Sequence, residues 1–314
     1  MLVSRNQSFY KKNRIGQADM FSLVYLYGNQ VGTFLDDLES VSINQVCHLP
    51  LFKLWRYHSD ITLWKSTQFT QYVNQALQST VPGITSTQGE PVTYREVFSQ
   101  IQSLEWPGDV FLLGGVVRDL LMRKIPNDID ISVSCPPKDL QQLCDQNHWK
   151  FYTRNGNYFL IGNKEGTNYL EGKDIFSHLV PDSKGEFCMN MIFYDIQNEI
   201  LIDKTGRGIQ DIQQNRISFS NHNWQQWFDL YKFVRFYKFR LRGYQAGLEE
   251  TEFILQTFQE QYTPTQGKWI PQLLLNLPNS HRLLNLVSQD ILRIWPQNNL
   301  SLLSWYTEFL SQIL

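Results

Sequence analysis

Phe111 to Val133 reads FLLGGVVRDLLMRKIPNDIDISV, and no other stretch of the 314-residue chain restricts the fold as tightly. An apolar run ends on two glycines, a second apolar segment follows, and a third alternates Asp128, Ile129, Asp130 and Ile131. Such alternation marks a half-buried strand, on which residues i and i+2 share a face. Asp128 and Asp130 are therefore aimed at one spot, while Ile129 and Ile131 enter the opposite layer. Carboxylates so placed, roughly 6 to 7 Å apart, repel by about 2 to 3 kcal/mol at an effective dielectric of about 20. A divalent cation reverses that repulsion. Mg²⁺, or Mn²⁺ in its place, fits best, as a hard ion that takes a few carboxylates and completes its shell with water and phosphate oxygens.

The glycines supply the other half. Phe111 to Leu113 reads as a short buried strand, Gly114-Gly115 as a turn needing close backbone approach, and Val116 to Arg123 as a helix. Its first amides are free, and such an end attracts phosphate. The spelling excludes a P-loop, which needs GK followed by Ser or Thr, and a dinucleotide fingerprint, which needs GxGxxG. The arrangement implies a nucleoside triphosphate held on metal ions.

Composition bounds the partners. The formal charge is −2, and 42 % of residues are apolar, enough for real cores in a globular protein. The central region that carries the aspartates is net acidic, which argues against a large RNA footprint, since backbone affinity rests on Lys and Arg. Cys47, Cys135, Cys144 and Cys188 show no CxxC spacing, so neither a structural zinc nor a disulfide framework is expected, and a reducing compartment is. No run is long enough to span a bilayer. Residues 1–18 are acid-free and MFSLVYLY follows, but Asp19 and the lack of a small-residue cleavage site argue against a targeting segment. The expectation is a cytoplasmic protein with no membrane partner.

Three parts are expected along the chain. QSTVPGITSTQGEPV, Gln78 to Val92, reads as a linker that sets residues 1–88 apart as an N-terminal extension. Residues 89–220 form an α+β head with a small mixed or antiparallel sheet. It opens on a helix capped by Thr93 and Glu96, and further strands are read at Lys150 to Tyr152, Tyr158 to Gly162 and Thr167 to Glu171. Residues 221–314 read as an all-α neck and body. There Lys232, Arg235, Lys238 and Arg242 recur at spacings of 3, 3 and 4 on one face, with Phe228, Tyr231, Phe236 and Phe239 on others.

GGVVRD followed by DID, joined by LLMRKIPN, resembles the signature of the class II tRNA nucleotidyltransferases and bacterial poly(A) polymerases, a branch of the DNA polymerase β-like nucleotidyltransferases. The family pattern is GGxVRD, a short basic helix and linker, then DxD. The resemblance implies that Gly114 and Gly115 hold the triphosphate, that Arg118 and Asp119 brace the site, and that Asp128 and Asp130 bind the catalytic metals. Downstream, KGEFCMNM (Lys184 to Met191) occupies the place of the family's RRDFTINA and keeps Phe187 and Asn190, so Asn190 is a candidate nucleotide contact inside an apolar strand. LIDKTGRGIQDIQQNRI (Leu201 to Ile217) has Asp203, Gly206, Gly208 and Asp211 in register. At the start of the neck helix, Lys232 and Arg235 match family positions that contact triphosphate or RNA, whereas Asp229 stands where an arginine is expected. The base-selecting EDxxR motif is absent, Glu249 to Phe253 being the nearest stretch. The similarity covers about residues 108 to 245.

A two-metal site usually has a third carboxylate, as ligand or as base for the attacking hydroxyl. Glu171 is the candidate, with Asp174 behind it. The leading expectation is a metal-dependent nucleotidyltransferase that adds NMP to an RNA 3′ end, with ATP, or ATP and CTP, as donor. A degenerate head acting as a nucleotide- or RNA-binding module is the second reading, motivated by Lys184-Gly185-Glu186 and Asp229. The third is nucleotidyl transfer to a protein acceptor, with residues 1–88 as a protein-binding element.

Overall fold

A computed structural model of the chain describes residues 33–46, 60–104, 109–124, 126, 129–133, 135–154, 158–162, 168–174, 187–220, 228–261 and 280–294. The chain divides into two compact units, one of residues 1–183 and 190–209, the other of residues 184–189 and 210–314.

The first unit is built on a nine-stranded sheet. Its strands are β1 (Glu39–Val41), β2 (Thr62–Lys65), β5 (Val110–Leu113), β6 (Ile129–Val133), β7 (Lys150–Arg154), β8 (Tyr158–Gly162), β9 (Asn168–Asp174), β10 (Ile192–Asp195) and β11 (Ile200–Asp203). They lie in the order β1-β2-β11-β10-β5-β6-β9-β8-β7. Every pairing is antiparallel except β6 with β9. The expected α+β class holds, but the sheet is larger than expected, because β1 and β2 from the N-terminal region pair onto β11.

Between β2 and β5 come helix α1 (Thr67–Ala76), the hairpin β3 (Thr80–Thr85) and β4 (Pro91–Thr93), and helix α2 (Tyr94–Gln102). The hairpin corrects the linker reading of Gln78 to Val92. Its Pro and Gly sit in a separate two-stranded ribbon, where a missing donor is tolerated more easily than in a central strand. Capping chemistry starts both helices. Ser66 Oγ accepts from Phe69 N–H at 2.9 Å and donates to Asp37 at 2.5 Å. Thr93 Oγ1 accepts from Glu96 N–H at 3.2 Å while Glu96 accepts Thr93 N–H at 2.7 Å, which is the capping box expected from the sequence.

Helices α3 (Gly115–Leu121) and α4 (Pro137–Gln146) flank β6 in the chain. The sheet is apolar on both faces. Leu63, Phe111, Leu113, Phe193, Ile200 and Ile202 cluster on one. On the other, Tyr194 packs edge-on to Phe69 of α1 at 5.2 Å and its hydroxyl donates to Thr70 at 3.0 Å. The β11 turn is pinned by Asp203, whose carboxylate accepts from Thr205 at 3.1 Å and from Ile209 N–H at 2.9 Å. Gly206 adopts φ +65° in that turn with the Asp60 carbonyl against it.

The second unit is helical apart from a parallel pair of two-residue strands, β12 (Arg216–Ile217) and β13 (Gln245–Ala246). Its longest described helices are α6 (Leu230–Leu241), α7 (Leu248–Gln261) and α8 (Ser280–Ile294), with the short α5 (Gly208–Gln213) at the junction in sequence. Phe233 of α6 stacks on Phe258 of α7 at 3.8 Å, and Arg240 of α6 pairs with Asp290 of α8 at 3.2 Å.

Candidate active site

β5 is buried along its length and delivers the chain to Gly114. Gly114 N–H donates to the Ile192 carbonyl at 3.0 Å, so pairing with β10 is kept up to the turn. The backbone there takes φ +66° and ψ −122°, a region strained for any residue with a side chain. A Cβ at this position would also stand 3.4 Å from the Asn190 carbonyl oxygen. Helix α3 starts at Gly115 and ends at Leu121, two residues short of the expected end, because Arg123 takes φ +52°.

Arg118 is the hinge pin of this corner. It is only 5 % exposed. Nε and Nη2 donate to Asp119 Oδ1 at 2.9 and 2.6 Å, and Nη1 donates to Asn190 Oδ1. The guanidinium lies beside Gly115, where an added Cβ would meet it at 3.6 Å. Arg118, Asp119 and Asn190 therefore fasten the diglycine turn to the segment entering β10. Asn190 is not inside a strand, as expected, but ends the 3-10 turn Cys188–Asn190. Its apolar neighbours imitate a strand because Cys188 and Met189 are buried by the turn itself.

On β6, Ile129 and Ile131 are buried and Asp130 is half-buried, as the alternation requires. Ser132 stands opposite Phe111. Asp130, two residues from Ser132, therefore shares the sheet face of the Phe111 and Leu113 cluster. The parallel pairing sets Glu171 of β9 directly in register with Asp130, whereas Asp174 pairs with Val133, three residues further along. Register thus brings together the carboxylate candidates of two strands that are distant in sequence. Asp128 lies outside the described residues, as does the side chain of Glu171. Carboxylate oxygens at an accessible sheet end are donors of the type Mg²⁺ and Mn²⁺ take. Among the described residues no group of three metal-ligating side chains assembles.

Lys232 and Arg235 belong to the second unit, and they do not share an exposed face. Asp229 caps α6, accepting from Lys232 N–H at 3.0 Å and from its Nζ at 3.3 Å. Lys232 is accordingly drawn in, at 8 % exposure, while Arg235, Lys238 and Arg242 are exposed. The outward aromatic is Tyr231, 54 % exposed. The acidic residue in place of a family arginine has a structural use as the helix cap. Sequence reasoning also passed over Lys204, at the end of β11, whose pKa burial lowers to about 8. The available signal was a cation continuing the alternation of Ile200 and Ile202.

Residues 110–183 match the family model described as the poly A polymerase head domain. This agrees with the family read from GGVVRD and DID. None of the curated proteins matches the chain. Among solved structures, a complex of a tRNA-processing enzyme is similar at a TM-score of 0.50 and 16 % identity, over 64 % of this chain and 58 % of that one. The Bacillus stearothermophilus CCA-adding enzyme in complex with CTP gives 0.48 and 18 %, over 62 % and 52 %. The Thermotoga maritima CCA-adding enzyme complexed with tRNA gives 0.47 and 19 %, over 60 % and 48 %. The chain spans about half the length of such structures, and the likeness at these identities is one of fold.

Proposed function

We propose that the protein is a metal-dependent nucleotidyltransferase that adds NMP from ATP, or from ATP and CTP, to an RNA 3′ end. The observation that carries this reading is the register of Asp130 with Glu171 in the strands beside the diglycine turn, inside the segment matched by the poly A polymerase head. The tRNA-processing enzyme of similar fold supports RNA as the acceptor class.

In this reading Asp128 and Asp130 hold Mg²⁺ or Mn²⁺, with Glu171 beside them. The metal, when bound, polarises the phosphoryl oxygens and neutralises developing charge. Gly114 and Gly115 let backbone amides approach the phosphates. Arg118 and Asp119, through Asn190, keep that turn from shifting. The acceptor hydroxyl oxygen bonds to the α-phosphorus in line, the bond from that phosphorus to its bridging oxygen breaks, and pyrophosphate leaves. Glu171 takes the hydroxyl proton. The head is proposed to span residues 89–220, completed by strands β1 and β2 from before residue 88, and the neck and body residues 221–314.

The test is incubation with each α-labelled NTP, Mg²⁺ or Mn²⁺, and RNA and protein acceptors together. Label at RNA 3′ ends with pyrophosphate release is expected, and it should vanish in Asp130→Asn. Label on polypeptide alone would move the function to protein modification. ATP binding without pyrophosphate release under any acceptor would make the head a binding module.

A further inference from the structure

We propose that Lys204 is a phosphate-binding residue of this site, receiving the β,γ end of a triphosphate from across the sheet; the assignment rests on the nucleotidyltransferase reading. Lys204 follows β11, and its N–H donates to the Met191 carbonyl at 3.1 Å, which extends the β10–β11 ladder by one residue. Ile200 and Ile202 of β11 belong to the apolar face of Phe193, Leu113 and Phe111. Alternation therefore puts Lys204 next on that face. Asp130 of β6 occupies the same face, through its relation to Ser132 and Phe111. Lys204 and Asp130 consequently look out from one side of the sheet and from the same end, with β5 and β10 between them.

Three strand spacings separate the backbones of β6 and β11, about 14 Å. Between them lie the Gly114 turn and Met191, so the strip is mostly backbone at the strand ends. A triphosphate whose α-phosphate stands at Asp130 would run over β5 and β10 toward β11. The four-carbon stem of lysine covers the remaining gap.

Electrostatics supports the placement. Burial alone accounts for the lowered pKa of Lys204, about 8. Among nearby charges, the Asp203 carboxylate is committed to Thr205 and Ile209, Asp60 presents its carbonyl to Gly206, and Arg207 is exposed. A polyphosphate would favour the ammonium form and raise that pKa again.

The experiment is calorimetric titration of the full chain with ATP and Mg²⁺ at pH 8, in two buffers of different ionisation enthalpy. The wild type should take up a fraction of a proton, about half, on binding. Lys204→Met should lose that uptake and bind ATP about tenfold or more weakly, while Lys204→Arg keeps the affinity and also loses the uptake. AMP, which lacks the β- and γ-phosphates, should bind the wild type and Lys204→Met alike. ATP binding and proton uptake unchanged in Lys204→Met would overturn the assignment and leave the nucleotidyltransferase reading standing. A wild type that binds no nucleotide would remove both. Circular dichroism of the variants separates a binding defect from a folding one.

Discussion

Replacing Arg118 tests whether the turn is held by the guanidinium corner. In Arg118→Met the stem volume is kept, but Asp119, whose side chain is 13 % exposed, loses both bonds to its Oδ1, and the Asn190 amide oxygen loses its donor. Removing one partner of a fully buried pair costs about 3 to 5 kcal/mol. Asp119 keeps some access to water, so about 2 to 4 kcal/mol is expected. Arg118→Lys retains the charge but not the fork that reaches two acceptors, and should lose about 1 to 2 kcal/mol. Combined with Asp119→Asn, Arg118→Met should show a coupling of about 1 to 3 kcal/mol, because the two residues share one network. Guanidinium unfolding midpoints at unchanged slope would report these differences. An Arg118→Met variant within about 0.5 kcal/mol of wild type, or an Arg118→Lys variant indistinguishable from it, would refute the idea that this corner is a fastening.

Two further outcomes follow from local geometry. Gly206→Ala would place a Cβ 2.3 Å from the Asp60 carbonyl oxygen at φ +65°, whereas Gly243→Ala at φ +95° meets nothing within 4 Å; the first should destabilise by about 1 kcal/mol or more beyond the second, and equal losses would dismiss the close approach. Glu96 has its pKa lowered chiefly by the bond from Thr93 N–H, so its contribution is present above its unfolded value and is lost as pH falls through the folded one. The stability advantage of the wild type over Glu96→Gln should therefore shrink on acidification below about pH 4.5, and a pH-independent difference in unfolding midpoint would contradict the capping box.

The parts of this fold that could be read from the sequence are those whose cause is local. Alternation around Asp130, the glycine turn and the Thr93 capping box each depend on residues within a few positions of one another, and each appears where the spacing placed it. Pairing across long separations has no such signature. β2 is four residues long and joins the sheet only because Leu63 and Trp64 find Ile202 and Leu201, so the N-terminal region read as a separate unit when it supplies two strands. The reading of Lys232 failed for a related reason. Helical spacing gives the angle between side chains but not which arc is buried, and that was decided by Asp229 capping the helix and drawing Lys232 inward.

The same distinction explains why the candidate site resolves into a local half and a distant half. Gly114, Gly115, Arg118 and Asp130 come from one run of sequence, and motif spelling found them all. Asn190 reaches Arg118 across 72 residues, Glu171 reaches Asp130 through the parallel strand pair, and Lys204 shares the Asp130 face only through four consecutive strands. Register converts these separations into neighbourhood, since a one-residue slip of β9 or β11 would turn every side chain of that strand to the opposite face. The apolar cluster of Leu63, Phe111, Leu113, Phe193, Ile200 and Ile202 resists such a slip of β11 against β2 and β10. The hydrophobic face of the sheet thus fixes where the cation stands relative to the carboxylate, and a core substitution that loosened β11, such as Ile202→Ala, should weaken ATP binding without touching a polar residue of the site.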